Sequence, residues 1–416
     1  MSLTGTPLVV LLVVLAAALP LLAGALRLRG RSDVPPVRRG AVRSRRAAAA
    51  AGVAGLVVAG QVAAVLAAGA VVNDYGDFYT SWSELAGHEA AVPPAVAVGP
   101  VGADRPGGGR SGGVLAAAAP GTAVPAGRLG RVVQGPDPAW APPARWPVAG
   151  RLERVTVTGG TTGLSSSAYV WLPPQWFAPG ADRRTFPAAL VMTGYPGSAL
   201  NLERRLQLPQ QVLARTAAGK AAPMVLVLVS PSVVMPRDTE CTDVYAGPQV
   251  ETFLAVDLPA ALGPRFRVRP GDWGTVGDST GGWCAVKLAM DHPATFPAAV
   301  SLSGYYHPLS DRTTGSLWGG SPALRDLNDP RWRLQHLPVP PVSVLATSSR
   351  GETGPTGYPD LQAFARLVRP PMRLDTIVLP SGGHNFATWR AETPAAVDWL
   401  SARLAAAAGA AGPPTG

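Results

Sequence analysis

The stretch Trp273–Met290 reads WGTVGDSTGGWCAVKLAM, and its interpretation decides the fold. A short apolar run, Trp273 to Val276, leads into Gly277-Asp278-Ser279-Thr280-Gly281-Gly282. A helical stretch, Gly281 to Met290, follows and ends before Pro293. A strand that turns sharply into a helix forces the residue at the corner into a strained backbone conformation. Small neighbours two positions to either side are needed for the two elements to pass. Gly277 and Gly281 supply them, so Ser279 is expected at the corner with its hydroxyl lifted into a cleft. The same G-x-S-x-G pattern occurs at Gly109-Arg110-Ser111-Gly112-Gly113, where no strand precedes it and no helix follows. That second match reads as coil.

Working outward, buried-type apolar runs alternate with helical stretches. The expected strands are Ala188 to Met192, Met224 to Val229, Gly274 to Val276, Ala298 to Leu302, Val342 to Ala346 and Asp375 to Leu379. Helices are expected over Leu202 to Ala217, Val250 to Leu262, Gly281 to Met290, Asp360 to Val368 and Thr393 to Ala407. Ahead of them, Leu152 to Thr158 and Ser167 to Leu172 suit an antiparallel pair. The alternation predicts an α/β domain over residues 151–407, with a mostly parallel sheet covered on both faces and a flexible tail over 408–416. Chemistry in such a sheet belongs at the carboxyl ends of the strands.

A serine hydroxyl needs a base. Of the five histidines, His384 follows the last strand in a Ser-Gly-Gly-His-Asn loop and is the expected one. His307 follows the strand at Ala298 to Leu302 and is the alternative. The imidazole needs a carboxylate to hold its tautomer. Glu352, in the loop after Val342 to Ala346, fits; Asp360 is the second choice and is expected to cap the helix that starts there. The backbone N–H groups of Thr280 and Tyr195 are expected to form an oxyanion hole, each worth about 3 kcal/mol. Cys241 and Cys284 are the only cysteines, and outside a membrane they are expected to pair, tying the loop Arg237 to Asp243 to the floor of the site. No metal-ligand cluster and no cofactor motif is evident.

The amino-terminal region has another character. Residues 7–26 and 47–72 are apolar runs long enough to span a bilayer, the second interrupted by Gln61. Two retained spans are expected; a cleaved signal peptide is the alternative, and the first run lacks its basic flank. Between them, residues 27–46 carry eight arginines against Asp33, which accounts for +7 of the net charge of +10. The charge therefore marks a cytoplasmic loop by the positive-inside rule and not a nucleic-acid surface. Everything after Val72 is expected on the extracytoplasmic side. With no ionisable residue inside either span, a channel or transporter is excluded. Residues 73–150 read as a Pro/Gly-rich linker. Within them the aromatic segment Asp74 to Glu84 is expected to lie on the membrane surface or to fold back on the later domain.

Together G-D-S-T-G-G at 277–282, AAVSLSGYY at 298–306 and G-G-H-N-F-x-x-W at 382–389 resemble the α/β-hydrolase putative esterases. This family includes S-formylglutathione hydrolase (esterase D) and the antigen 85 mycolyltransferases; the composition resembles membrane-anchored actinobacterial proteins. The resemblance covers roughly residues 150–405. It implies an α/β-hydrolase fold preceded by two transmembrane helices and a flexible linker, with Ser279 as nucleophile, His384 as base and a glutamate at the position of Glu352. The implied function is a membrane-anchored serine esterase acting on an acyl ester or lipid. The alternatives are an acyltransferase to an envelope sugar or glycolipid, and a non-catalytic module that binds the envelope or a partner.

Overall fold

The computed structural model describes residue 3 and residues 6–29, 39–76, 78–88, 91–98, 130–135 and 148–410. Part of the Arg-rich loop, much of the linker with Ser111, and residues 411–416 lie outside the described residues. The chain divides into two compact units, one formed by Met1–Glu89 with Ser381–Asn385, the other by Ala90–Pro380 with Phe386–Gly416.

The first unit contains the helices Thr6–Arg29 and Arg39–Gly76. Their spans Thr6–Arg29 and Ala48–Asp74 contain 18-residue stretches of mean hydropathy 2.8 and 2.2, and both are long and apolar enough to cross a membrane. Few of the side chains in those stretches are buried. Where the two helices pack, a Cβ on Gly60 would lie 2.7 Å from the ring of Pro20, so a glycine is what lets them approach. In the last turn of the second helix, Asn73 holds the chain that follows. Its side-chain amide donates to Tyr79 O and accepts from Tyr79 N–H, both at 2.9 Å. A single-turn helix follows at Trp82–Leu85, capped by Ser81, whose hydroxyl accepts from Glu84 N–H at 3.1 Å.

The second unit is built on a ten-stranded sheet: β1 (Val96–Val98), β2 (Arg131–Gly135), β3 (Arg151–Thr158), β4 (Ser165–Leu172), β5 (Ala188–Met192), β6 (Val225–Val229), β7 (Trp273–Asp278), β8 (Ala298–Leu302), β9 (Ser343–Ser349) and β10 (Arg373–Leu379). The spatial order is β1-β10-β9-β8-β7-β5-β6-β4-β3-β2. The six strands from β10 to β6 are mutually parallel, and β1, β4, β3 and β2 add antiparallel margins. β5, β6, β7 and β8 are buried along their whole length, which is why β5 and β6 read in sequence as unbroken apolar runs. One core, around Leu190, Val227, Phe253, Trp283 and Ala299, fills one face; the other, around Val191, Val300, Trp389 and Leu400, fills the opposite face. Chain order reverses beside β5, with β6 on one side and β7 on the other. The crevice beyond their carboxyl ends is the topological switch point where α/β sheets bind ligands.

Two features differ from the sequence reading. β1 and β2 lie inside the stretch read as linker, and both join the sheet through backbone pairing, Val96 opposite Thr376 and Arg131 opposite Thr158. The expected helix Leu202 to Ala217 is broken into Leu200–Arg204 and Leu208–Ala217, because Gln207 adopts φ 57° and Pro209 starts the second piece.

Candidate active site

Ser279 sits between β7 and the helix Thr280–Asp291 with φ 55° and ψ −124°, a left-handed conformation that costs a non-glycine residue about 1–3 kcal/mol. The surroundings hold it there. Its N–H donates to Leu302 O at 3.0 Å, and its carbonyl accepts from the N–H groups of Gly282 and Trp283 at 2.8 and 3.1 Å. The glycines are required by space: a Cβ on Gly277 would lie 2.0 Å from Gly281 O, and one on Gly281 would lie 2.0 Å from Met192 O. Strand, turn and helix are thus in backbone contact, as the spacing of the motif predicts.

The loop after β5 forms the facing wall. Gly194 N–H donates to Asp278 Oδ2 at 2.9 Å, so the residue before the serine anchors this loop. A Cβ on Gly194 would lie 2.8 Å from Ser279 Cβ and 3.3 Å from its Oγ. The loop closes on itself through Gly197 N–H to Gly194 O at 2.7 Å, and the Tyr195 hydroxyl donates to Pro236 O at 2.6 Å. Of the two residues expected to present N–H groups to an oxyanion, Thr280 directly follows the serine and Tyr195 directly follows Gly194, which packs on it.

On the other side, β8 is followed by Ser303, which also adopts positive φ, 46°. The Ser303 hydroxyl donates to Glu352 Oε1 at 2.7 Å, and its N–H donates to Thr347 O at 3.1 Å. Glu352 is buried, in the loop after β9, where the sequence placed it. Asp360 is not a helix cap: Gly357 occupies that position for the helix Tyr358–Ala365. The Asp360 carboxylate instead accepts from Tyr306 N–H at 2.6 Å and from Arg331 at 2.8 Å, and His307 Nδ1 lies 3.1 Å away. Asp360 and His307 thus belong to one ion cluster that ties Arg331 to the end of β8.

Beneath the turn, Cys241 and Cys284 form a disulfide with Cα atoms 5.7 Å apart, as expected. The loop it fixes carries Glu240, whose buried carboxylate accepts from the Tyr305 hydroxyl, while Trp283 Nε1 donates to Glu240 O at 3.2 Å. Tyr305 stacks on Trp283 with ring centroids 5.3 Å apart. Burial, and after it the neighbouring Asp238, push Glu240 up to about 8, and burial holds the Tyr305 hydroxyl well above its usual range. The residue over the disulfide is thus a neutral acid at pH 7. Sequence reasoning passed over Asp278, Ser303 and Glu240, since each acts through a partner distant in the chain. For Asp278 a signal was present: an acid within the turn has backbone donors of the facing loop in reach.

His384 lies in the loop Ser381–Asn385 between β10 and the helix Phe386–Ala410, in the unit that contains the apolar helices.

A switch-point serine held strained on a strand-to-helix turn, with the loop of the neighbouring parallel strand packed against it, defines an α/β hydrolase. Within that class, residues 160–344 match the sequence model of the putative esterase family. The chain is 24% identical over 272 residues to an uncharacterized protein of Corynebacterium glutamicum, covering 61% of this chain and 62% of that protein. It is 38% identical over 72 residues to the MPT51/MPB51 antigen of Mycobacterium tuberculosis, covering 17% of this chain and 24% of the antigen. Its fold is similar to that of an S-formylglutathione hydrolase from Agrobacterium tumefaciens, with TM-score 0.53 and 14% identity over 65% of this chain and 98% of that one. The matches thus span less than two thirds of the length of either sequence relative.

Proposed function

We propose that the protein is a membrane-anchored serine esterase that cleaves acyl esters outside the cytoplasm through an acyl-enzyme. The observation that carries this reading is the strained backbone of Ser279 with Gly194 packed on its side chain. A serine with only a structural role has no need of a conformation this costly, nor of a neighbour reduced to glycine.

In this reading Ser279 Oγ attacks the ester carbonyl carbon while His384 takes the hydroxyl proton. The oxyanion that forms accepts hydrogen bonds from the N–H groups of Thr280 and Tyr195. When the tetrahedral intermediate collapses, His384 returns the proton to the departing alcohol, and the acyl group stays on Ser279. Water, activated by the same imidazole, releases the acid and restores the serine. Glu352 holds the imidazole and stabilises its protonated form; its bond from Ser303 fixes the carboxylate for that role. The Arg-rich segment stays in the cytoplasm, and the disulfide suits the oxidising side of the membrane.

The test uses the full chain in detergent with a fluorophosphonate probe and a short p-nitrophenyl ester. Labelling and turnover are expected to disappear in Ser279→Ala and to survive in Ser111→Ala. Turnover is expected to fall at least about a thousandfold in His384→Ala. A folded wild-type protein that is neither labelled nor active would overturn the esterase reading in favour of a binding module. Addition of sugar or glycolipid acceptors separates transfer from hydrolysis, since an acyltransferase would form the new ester at the expense of free acid.

A further inference from the structure

The segment that follows the second apolar helix is hydrogen-bonded to the loop that carries His384. Glu84, on the single-turn helix Trp82–Leu85, accepts on Oε1 from Gly383 N–H and from the Asn385 side-chain amide, the latter at 2.8 Å. Its Oε2 accepts from Thr80 N–H at 2.8 Å and from the Thr80 hydroxyl at 3.1 Å. The Thr80 hydroxyl is also 3.2 Å from Gly382 O, and the Asn385 amide bonds Phe78 O. Gly382, Gly383 and Asn385, the three residues that flank His384, are therefore each bonded to a residue between Phe78 and Glu84. The same segment is tied back to the helix by the paired bonds of Asn73 and Tyr79.

Glycines on one side of a histidine leave its backbone loose, and a base that must meet a hydroxyl within hydrogen-bond reach cannot be loose. A carboxylate is suited to fix such a loop, because charge-assisted bonds from N–H donors are about twice as strong as neutral ones. The fixing residue lies about 300 positions away in the chain, on the single-turn helix that follows the second apolar helix. The two bonds made by its Oε1 grip the residues on both sides of His384.

We infer that Glu84 is a positioning residue: it holds the Ser381–Asn385 loop so that His384 can act, and the segment between anchor and sheet is thereby part of the catalytic apparatus. This rests on the reading of His384 as the base. Glu84 touches no substrate and moves no proton. Its contribution is confined to the placement of the imidazole, so it bears on turnover more than on binding.

The test uses the full chain in nanodiscs with a p-nitrophenyl ester. Glu84→Ala is expected to lower kcat by about thirtyfold with KM within about threefold of the wild type. Glu84→Gln keeps an oxygen for Gly383 N–H and the Asn385 amide, and is expected to recover kcat to within about fivefold. Asn385→Ala removes one of the two donors and should fall between the wild type and Glu84→Ala. Melting temperature and circular dichroism of Glu84→Ala are expected to change little. A wild-type kcat in Glu84→Ala, with His384→Ala inactive, overturns the inference and leaves the base assignment standing. Full activity in His384→Ala overturns the base assignment itself. Loss of fold in Glu84→Ala together with a wild-type kcat in Asn385→Ala also overturns the positioning role, reducing Glu84 to a stability contact.

Discussion

Gly194 and Ser279 are in contact across the switch point, and a methyl group on the glycine would lie 2.8 Å from Ser279 Cβ. That contact involves the side chain of the proposed nucleophile, and the backbone at Gly194 is pinned to Asp278. Neither partner can withdraw without breaking a bond of the turn. Gly194→Ala is therefore expected to push the oxyanion loop off the serine. Displacement of a catalytic group by about 1 Å costs on the order of a hundredfold, so kcat should fall by about that factor. Steady-state kinetics with the p-nitrophenyl ester checks this, and the melting temperature should move by only a few degrees.

The neutral acid beneath the turn makes stability depend on pH. Burial first, then Asp238, raises Glu240 to about 8 from an ordinary value of 4.5. Between those values the folded protein holds a proton that the unfolded chain has released, so stability falls as pH rises through the window. Its full value is kept below about pH 4.5, and the loss is complete above about pH 8. Glu240→Gln stays neutral throughout and preserves an acceptor for Tyr305. Its stability should not show this slope, and at pH 8 it should exceed the wild type by on the order of 3 kcal/mol. Denaturant titrations of both proteins between about pH 5 and pH 8 decide it; parallel slopes would refute the assignment of the proton to Glu240.

The disulfide closes a loop between residues 43 positions apart. In the loop-entropy account such a closure destabilises the unfolded chain by about 4 kcal/mol. Cys241→Ser with Cys284→Ser should therefore lower the melting temperature by about 10 °C. Because the loop also carries Glu240 and accepts from Trp283, activity should decline together with stability when the wild type is reduced. A double variant as stable as the oxidised protein would show that packing alone holds the loop.

Much of the central sheet was legible because buried parallel strands are unbroken apolar runs. Ala188–Met192 and Ala298–Leu302 begin and end where hydrophobicity alone puts them. The turn at Ser279 was legible because its steric demand is written in glycines. What escaped has a different physical origin. β1 and β2 are held by backbone bonds to strands whose side chains do not specify them, so Val96–Val98 carries no pattern that distinguishes it from linker. The break at Gln207 needs a left-handed residue that is neither glycine nor asparagine, which propensity does not forecast. Glu84 was read only as the end of an aromatic segment, since its partners Gly383 and Asn385 lie at the far end of the chain. Asp360 failed as a cap for the same reason: Arg331 and Tyr306 N–H, both distant in sequence, compete for its carboxylate.

Behind the serine, the helix Thr280–Asp291 buries a lysine, and this cluster yields the last expectation. Lys287 Nζ is fully enclosed, donates to Cys241 O at 3.1 Å, pairs with Glu251 and lies 3.7 Å from Asp291. His292 is 2.9 Å from Glu251, and Arg333 is 2.8 Å from Asp291. Burial alone would raise Glu251, yet the Lys287 charge, with His292, holds it below its ordinary value. Asp291 moves the other way, because burial outweighs the pull of Lys287. Lys287→Met fills the space but leaves two carboxylates buried against each other, which should cost about 3–5 kcal/mol at pH 7. The sign with pH follows from Glu251. Depressed in the wild type, it stabilises above its ordinary value and loses that contribution as pH falls. Without the lysine it is raised and destabilises at neutral pH, so acidification relieves the variant, whereas the parent loses its Glu251 contribution only below the ordinary value of 4.5. The difference in stability between the two proteins should therefore shrink from pH 7 to pH 5, as measured by urea unfolding. A gap that stays constant over that range would mean that Lys287 acts through packing and its bond to Cys241, and that its charge contributes little.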